Sequence, residues 1–500
     1  MKVLLLHPDR NFDPKAPLPP NQDTLVQDLE LETLFQAMAR GDKFLYQTAR
    51  QALLSSLGDP TEIRYRQAIL QDCLEHPEVV REIYQIPIEA IQRKQRHWMG
   101  IFSHYPSGIL SSSVQLLEMF LDLLRHLKQV ADEQVGQFRS AGFRRFFEMI
   151  LRELDDAYFV EVENHLRELR FRNGVLLSAR LGRGNEGQDY LLCKPNQPNG
   201  HWAKRIFSKQ SPVYSFNIHP RDDHGARALG ELRDRGLNLV ANAVAQSADH
   251  IDSFISTLRQ ELAFYVGALN LAESLSALEM PLCLPEAFQT SERKHAFEGL
   301  YDIALALTMQ KSVVGNQANA DDKDLVIVTG ANQGGKSTFL RSIGQAQAMM
   351  QCGLFVGAES FSANLASGLF THYKREEDSS MKSGKLDEEL ARMSEIISQL
   401  RPDALVLFNE SFAATNEREG AEIARQVVNA LLERRIKVFF VTHQYELARG
   451  YHTQGSARHL FLRAERQPDG NRTFKLREGE PLPTSFGEDV YQKIFKPGMD

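Results

Sequence analysis

Residues 330–337 read Gly330-Ala331-Asn332-Gln333-Gly334-Gly335-Lys336-Ser337 and satisfy the pattern G-x-x-x-x-G-K-[ST]. An apolar run, Leu325 to Val328, comes immediately before, and a segment of helical pattern, Thr338 to Met350, immediately after. A strand that feeds such a loop into a helix is the context in which the backbone wraps phosphates. The glycines let the chain curl, and the helix N-terminus offers N–H groups and partial positive charge. Gly330 to Thr338 are therefore the expected ATP-binding residues, with Lys336 neutralising the β- and γ-phosphates and Ser337 reaching Mg²⁺.

Two further buried-strand runs follow, Ala404 to Phe408 and Val438 to Val441, separated by helical segments. That layout predicts a mostly parallel sheet flanked by helices. The first run ends in Asn409-Glu410. Glu410 fits the residue that polarises an attacking water. Asn409 stands where an Asp commonly holds Mg²⁺. Lacking the charge, it can still accept from a metal-bound water, so weakened Mg²⁺ binding is expected. Thr442-His443 follows the next strand, which puts His443 in position to sense the γ-phosphate or the catalytic water.

Upstream the pattern is mostly helical. Val3 to Leu6 read as a short strand ahead of a Pro-rich linker, Asp13 to Asn21, and several helices are expected between Asp23 and Gln95. Apolar residues three and four apart between Val114 and Leu169 predict two long helices, the second beginning near Gly142. A seam from Ile251 to Ala272 approaches a 3.5-residue repeat and predicts a long packed helix or short coiled coil. Between these, Gly174 to Leu181 and Tyr190 to Lys194 read as a β-hairpin, and Val213 to Ile218 as another strand-like piece.

This inserted module is basic. From Asn164 to Gln210 nine Lys/Arg face three acids, locally +6 in a chain whose net charge is −7. Such a patch suits phosphate contacts, and Arg180, Arg183, Lys194, Lys204, Arg205 and Lys209 lie in or beside the hairpin. The acidic remainder makes no global case for nucleic acid.

With 500 residues the chain is too long for one core, so two or three domains are expected. Its 42% hydrophobic and 25% charged composition, with mean hydropathy −0.35, suits a soluble protein. No uncharged apolar run approaches ~20 residues, so no membrane partner is expected. The apolar stretch of MKVLLLHPDR is too short for a signal peptide. Four scattered cysteines, Cys73, Cys193, Cys283 and Cys352, suit reduced thiols in a cytoplasm.

TGANQGGKST, LVLFNESFAATNEREG and VTHQYEL together resemble the ATPase motifs of the MutS family of DNA mismatch-repair proteins. ELAFYVGALNLAESL (Glu261 to Leu275) resembles the helix that closes the family's lever domain, and GDPTEIRYRQAILQDC the stretch near its beginning. The resemblance implies a multidomain α plus α/β fold: an arm at 1–44, a helical core/lever domain at 45–290, and an ABC-type P-loop ATPase domain at 291–500. A β-containing clamp would be inserted in the lever at about 164–222. It also implies a DNA-dependent ATPase using ATP and Mg²⁺, a homodimer paired through its ATPase domains, and DNA as partner.

Departures from the family pattern shape the expectation. Only about 44 residues precede the lever-like region, leaving no counterpart of the mismatch-reading and connector domains, so direct mismatch recognition is not expected. The family's signature loop, which reaches the partner's nucleotide, has Ser383-Gly384-Lys385 here, without its Ser-Thr. Val313 falls where the family often stacks an aromatic on adenine, and the C-terminal dimerisation helices have no counterpart. Two alternatives stay open: a nucleotide-gated scaffold that hydrolyses little and clamps a protein partner, and a sensor of branched DNA.

Overall fold

The computed structural model describes residues 1–98, 105–172, 174–194, 214–331, 333–375, 384–467 and 472–482. The fold is mixed α/β, and the chain divides into two compact units. One comprises Met1–Val3, Arg81–Phe138 and Arg144–Arg259; the other Leu4–Val80, Arg139–Phe143 and Gln260–Asp500. The boundaries drawn at 45 and 290 from sequence both fall inside the second unit.

The first unit is helical. Its helix Pro106–Gln134 buries Phe120, Leu124 and Leu127, and is tied to the helix Asp156–Leu169 by Arg125 with Glu163, while Arg170, just past the second helix, pairs with Glu118. Sequence periodicity merges two helices here that are separate. Ala141–Glu153 ends before Asp155, whose carboxylate accepts from the Tyr158 amide at 2.7 Å and starts Asp156–Leu169 anew. An apolar spacing that survives the break hides the cap. Pro106–Gln134 also has the length and, over 18 residues, the mean hydropathy (1.2) of a membrane-crossing helix, and half of that stretch is buried within the protein.

Strands β1 (Leu176–Leu181) and β2 (Gly187–Cys193) form the expected antiparallel hairpin, with Leu176 opposite Cys193 and Leu181 opposite Gly187. Residues 214–218 are not a strand: Tyr214 and Phe216 are exposed and the backbone pairs with nothing in a sheet. Alternation alone does not make a strand without a partner edge. The expected seam is part of a single helix, Asp223–Ser276, whose residues contribute to both units.

In the second unit, β3 (Glu286–Phe288), β4 (His295–Leu300), β5 (Asn316–Asn319) and β7 (Ser360–Asn364) build a four-stranded sheet ordered β3-β7-β4-β5. The larger sheet holds β6 (Leu325–Gly330), β8 (Leu369–Tyr373), β9 (Leu405–Asn409), β10 (Lys437–Val441), β11 (His459–Arg466) and β12 (Arg472–Glu478). Its order is β12-β11-β6-β10-β9-β8, parallel except for β12. β6, β9 and β10 are apolar and almost wholly buried, as strands covered by helices on both faces must be. The helices Lys336–Gln351 and Glu417–Glu433 supply part of that cover.

The segment expected as a strand at Val3 to Leu6 is irregular, with Leu4 at φ 53°, and Leu5 and Leu6 are fully buried. Its backbone is satisfied by a side chain instead of a neighbouring strand. The Glu261 carboxylate, itself buried, accepts from the amides of Leu5 (2.6 Å), Leu6 (3.2 Å) and Phe12 (3.0 Å). The guanidinium of buried Arg66 donates to the carbonyls of Leu6 and Cys352. Burial raises the Glu261 pKa, and the three amides oppose that rise.

Candidate functional site

The C-terminal ends of β6, β10 and β9, three neighbours in the larger sheet, bring most of the chemistry-bearing residues together. Gly330 ends β6 at φ 118°, and a Cβ there would come within 2.8 Å of the Ala464 nitrogen on β11. Gly335 caps the next helix at φ 83°. Both positions require glycine's conformational freedom.

Lys336, the first residue of that helix, is 5% exposed and folds back over its own loop. Its Nζ donates to the carbonyls of Gly330 (3.1 Å) and Ala331 (2.9 Å). Burial pushes the ammonium down to about 8 against the pull of Glu410. A cation held this way is poorly solvated and gains when a phosphate oxygen replaces a carbonyl. Ser337 Oγ donates to Asn409 Oδ1 at 2.9 Å, so the two residues picked for metal binding meet.

Glu410 follows β9 at φ 53°, with its amide bound to the Val441 carbonyl at 2.9 Å. Its Oε1 lies 3.1 Å from His443 Nε2, and that contact holds the carboxyl below its ordinary pKa despite partial burial. Glu410 and His443 are thus adjacent, as a base and its orienting partner need to be.

Beside the loop a cavity of about 530 Å³ is lined by Leu305, Val313, Val314, Gln333, Thr338 and Phe474, among others. Its apolar walls at a phosphate-type loop suit a flat base. Phe474 on β12 escapes a reading of the sequence. Its one signal is that it is the lone aromatic of the mostly polar strand RTFKLRE.

The other loop candidates fall where the pattern puts them: Ala331, Gln333 and Gly334 lie in the loop and Thr338 in the first helical turn, while Asn332 lies outside the described residues. Gly384 caps the helix Lys385–Gln399, which Lys385 begins, and Ser383 is outside the described residues. In the other unit Arg180 lies on β1, Arg183 at the hairpin tip and Lys194 just past β2. Arg180 is 4.0 Å from Asp189 and Lys194 3.3 Å from Glu168, both pairs well exposed. Lys204, Arg205 and Lys209 lie outside the described residues.

Residues 58–278 match the family model described as the MutS2 N-terminal domain, and residues 326–498 the one described as MutS domain V. The chain is 25% identical over 491 residues to a protein named DNA mismatch repair protein MutS from Porphyromonas gingivalis, a match covering 88% of this chain and 53% of that protein. A protein of the same name from Clostridium kluyveri is 27% identical over 235 residues, covering 44% of this chain and 27% of the relative. MutS protein homolog 4 of Mus musculus is 29% identical over 251 residues, covering 48% and 25%. The chain spans about half the length of the first of these curated relatives and about a quarter of the other two.

Proposed function

The chain belongs to the MutS family, and from that premise we propose that it binds and hydrolyses ATP and couples its nucleotide state to a grip on DNA. The observation that carries this reading is the meeting of Lys336, the Ser337–Asn409 contact (2.9 Å) and the Glu410–His443 contact (3.1 Å) at adjoining strand ends. Phosphoryl transfer needs chiefly positioning and charge stabilisation, which these groups can supply.

In this mechanism Lys336 leaves its loop carbonyls for the β- and γ-phosphates, and the helix N-terminus beside it presents N–H groups to the same oxygens. Phe474 and Val313 enclose the base. Ser337 and Asn409 would hold Mg²⁺: a hydroxyl and an amide oxygen, both neutral, fit an ion that takes most of its ligands from phosphates and water. Bound there, the ion would neutralise charge on the phosphates. Glu410, oriented by His443, takes the proton of the attacking water.

The DNA half is supported by the local excess of positive charge on and around the β1–β2 hairpin, and by the names of the relatives. An ATPase assay with and without DNA tests the whole. Turnover stimulated by duplex or branched DNA, and nucleotide affinity abolished in Lys336→Ala, are expected. Unchanged nucleotide affinity in that variant sinks the ATP site, and absence of any DNA effect sinks the coupling. Asn409 favours one second reading, a scaffold that holds ATP with little turnover. Asn409→Asp would then raise the rate by restoring the missing charge.

A further inference from the structure

Glu410 and Phe412 both take left-handed backbone conformations, φ 53° and φ 60°, on either side of Ser411. Residues with a Cβ adopt this region at a cost and stay there only where the surroundings insist. Here the surroundings are specific. Ser411 is fully buried, and its Oγ lies 2.7 Å from His372 Nδ1. His372, on β8 and opposite Phe408 in the β8–β9 ladder, is also fully buried. Its Nε2 donates to the Glu389 carbonyl at 3.0 Å, which leaves Nδ1 to accept the Ser411 hydroxyl proton. The same hydroxyl also donates to the His372 carbonyl oxygen at 2.5 Å, so its one proton is shared between the ring nitrogen and the backbone and the serine is seated against both.

The next residue is held as closely. The Phe412 ring stacks on His372, centroids 5.3 Å apart at 18°. Its amide donates to the Glu389 carboxylate, and its carbonyl accepts from Gln444 Nε2 at 3.0 Å. A Cβ at Gly420 would approach that carbonyl oxygen to 2.2 Å, so the chain has no room to bulge on that side. β8 and the segment after β10 thus brace the turn from opposite sides.

We propose that Ser411, seated on His372, is a positioning residue that keeps Glu410 in its left-handed conformation and so aims its carboxylate at the hydrolytic water; this rests on the ATPase reading above. Without the Ser411 hydroxyl, His372 Nδ1 is buried and unpaired, and the turn relaxes toward negative φ. Rotation of the Glu410 backbone carries its carboxylate away from His443. Nucleotide binding, which depends on the Lys336 loop, is untouched.

The test uses the full chain and three proteins: wild type, Ser411→Ala and the near-isosteric Ser411→Cys. Measured are ATP affinity, single-turnover hydrolysis, and hydrogen exchange of the amides at 410–413. Ser411→Ala is expected to bind ATP within twofold of wild type, to hydrolyse it about 10- to 100-fold more slowly, and to exchange faster at 410–413. A general loosening of the packing would lower ATP affinity along with hydrolysis, whereas a misaimed Glu410 lowers hydrolysis alone. Ser411→Cys, a weaker donor, should fall between and serves if the alanine variant does not fold. Hydrolysis in Ser411→Ala within twofold of wild type overturns the proposal, and so does a loss of ATP affinity as large as the loss of hydrolysis. If wild type itself hydrolyses nothing, the ATPase reading falls separately. Exchange at 410–413 then decides whether Ser411 holds the turn, and unchanged exchange in Ser411→Ala overturns that too.

Discussion

His443 Nε2 stands 3.1 Å from Glu410 Oε1, joining the ends of two strands that lie side by side in the sheet. The pairing keeps the glutamate ionised and points one of its oxygens, leaving the other for water. Glu410→Gln should keep nucleotide affinity and slow hydrolysis by about 10²–10⁴-fold, the range of a general base. His443→Ala, which leaves the carboxylate but frees its orientation, should do less damage. Rapid-quench single-turnover assays read both, and full activity in Glu410→Gln removes it from the mechanism.

Phe474→Ala should weaken ATP binding by about 1–3 kcal/mol, the worth of one base–aromatic stack, while leaving tripolyphosphate affinity unchanged. Calorimetric titrations with both ligands separate base from phosphate. Equal weakening for the two would show that Phe474 shapes the loop rather than the base cavity it lines.

Lys437, at the start of β10, is 4% exposed and donates to the Ala320 carbonyl at 3.0 Å. Burial lowers its pKa to about 7, with Arg293 adding to the effect. An unfolded lysine titrates at about 10.4, so between the folded value and that one the unfolded chain binds the extra proton and stability rises with pH. Below the folded value both states are protonated and the dependence stops. Lys336, lowered to about 8, acts in the same direction, so the comparison is between wild type and Lys437→Met. Urea midpoints across the neutral to mildly alkaline range should climb less steeply in the variant, and identical slopes would contradict the assignment.

Charge reversal of Arg180 and Arg183 should weaken DNA binding equally on unrelated sequences. For every phosphate no longer neutralised, the plot of log K against log [salt] should flatten by about 0.9 on duplex DNA. Both are on the hairpin, so affinity and slope unchanged in the double variant would reduce the basic excess to a solvated surface.

The loop at 330–337 and the strand ends at Asn409 and Val441 can be read in the chain because each is a contiguous pattern: a buried apolar run followed by a fixed set of polar types. What stays hidden depends on partners distant in sequence. Ser411 and His372 are 39 positions apart and look ordinary separately. Phe474 gains meaning only when β12 folds beside the loop. The Asp155 cap is masked by a hydrophobic spacing that runs through it. Val3 to Leu6 have strand-like composition, but a carboxylate from elsewhere in the chain takes the place of a neighbouring strand.

That carboxylate orders events during synthesis. Leu5 and Glu261 are 256 positions apart, so at roughly 5–20 residues per second the opening segment leaves the ribosome about 13–50 s ahead of its acceptor. Through that interval the amides of Leu5, Leu6 and Phe12 lack the carboxylate that accepts from them in the finished fold, and two leucines destined for the interior wait on the helix that carries it. Residues made well before their acceptor are among the last to be seated, and this part of the protein closes from its far end backwards.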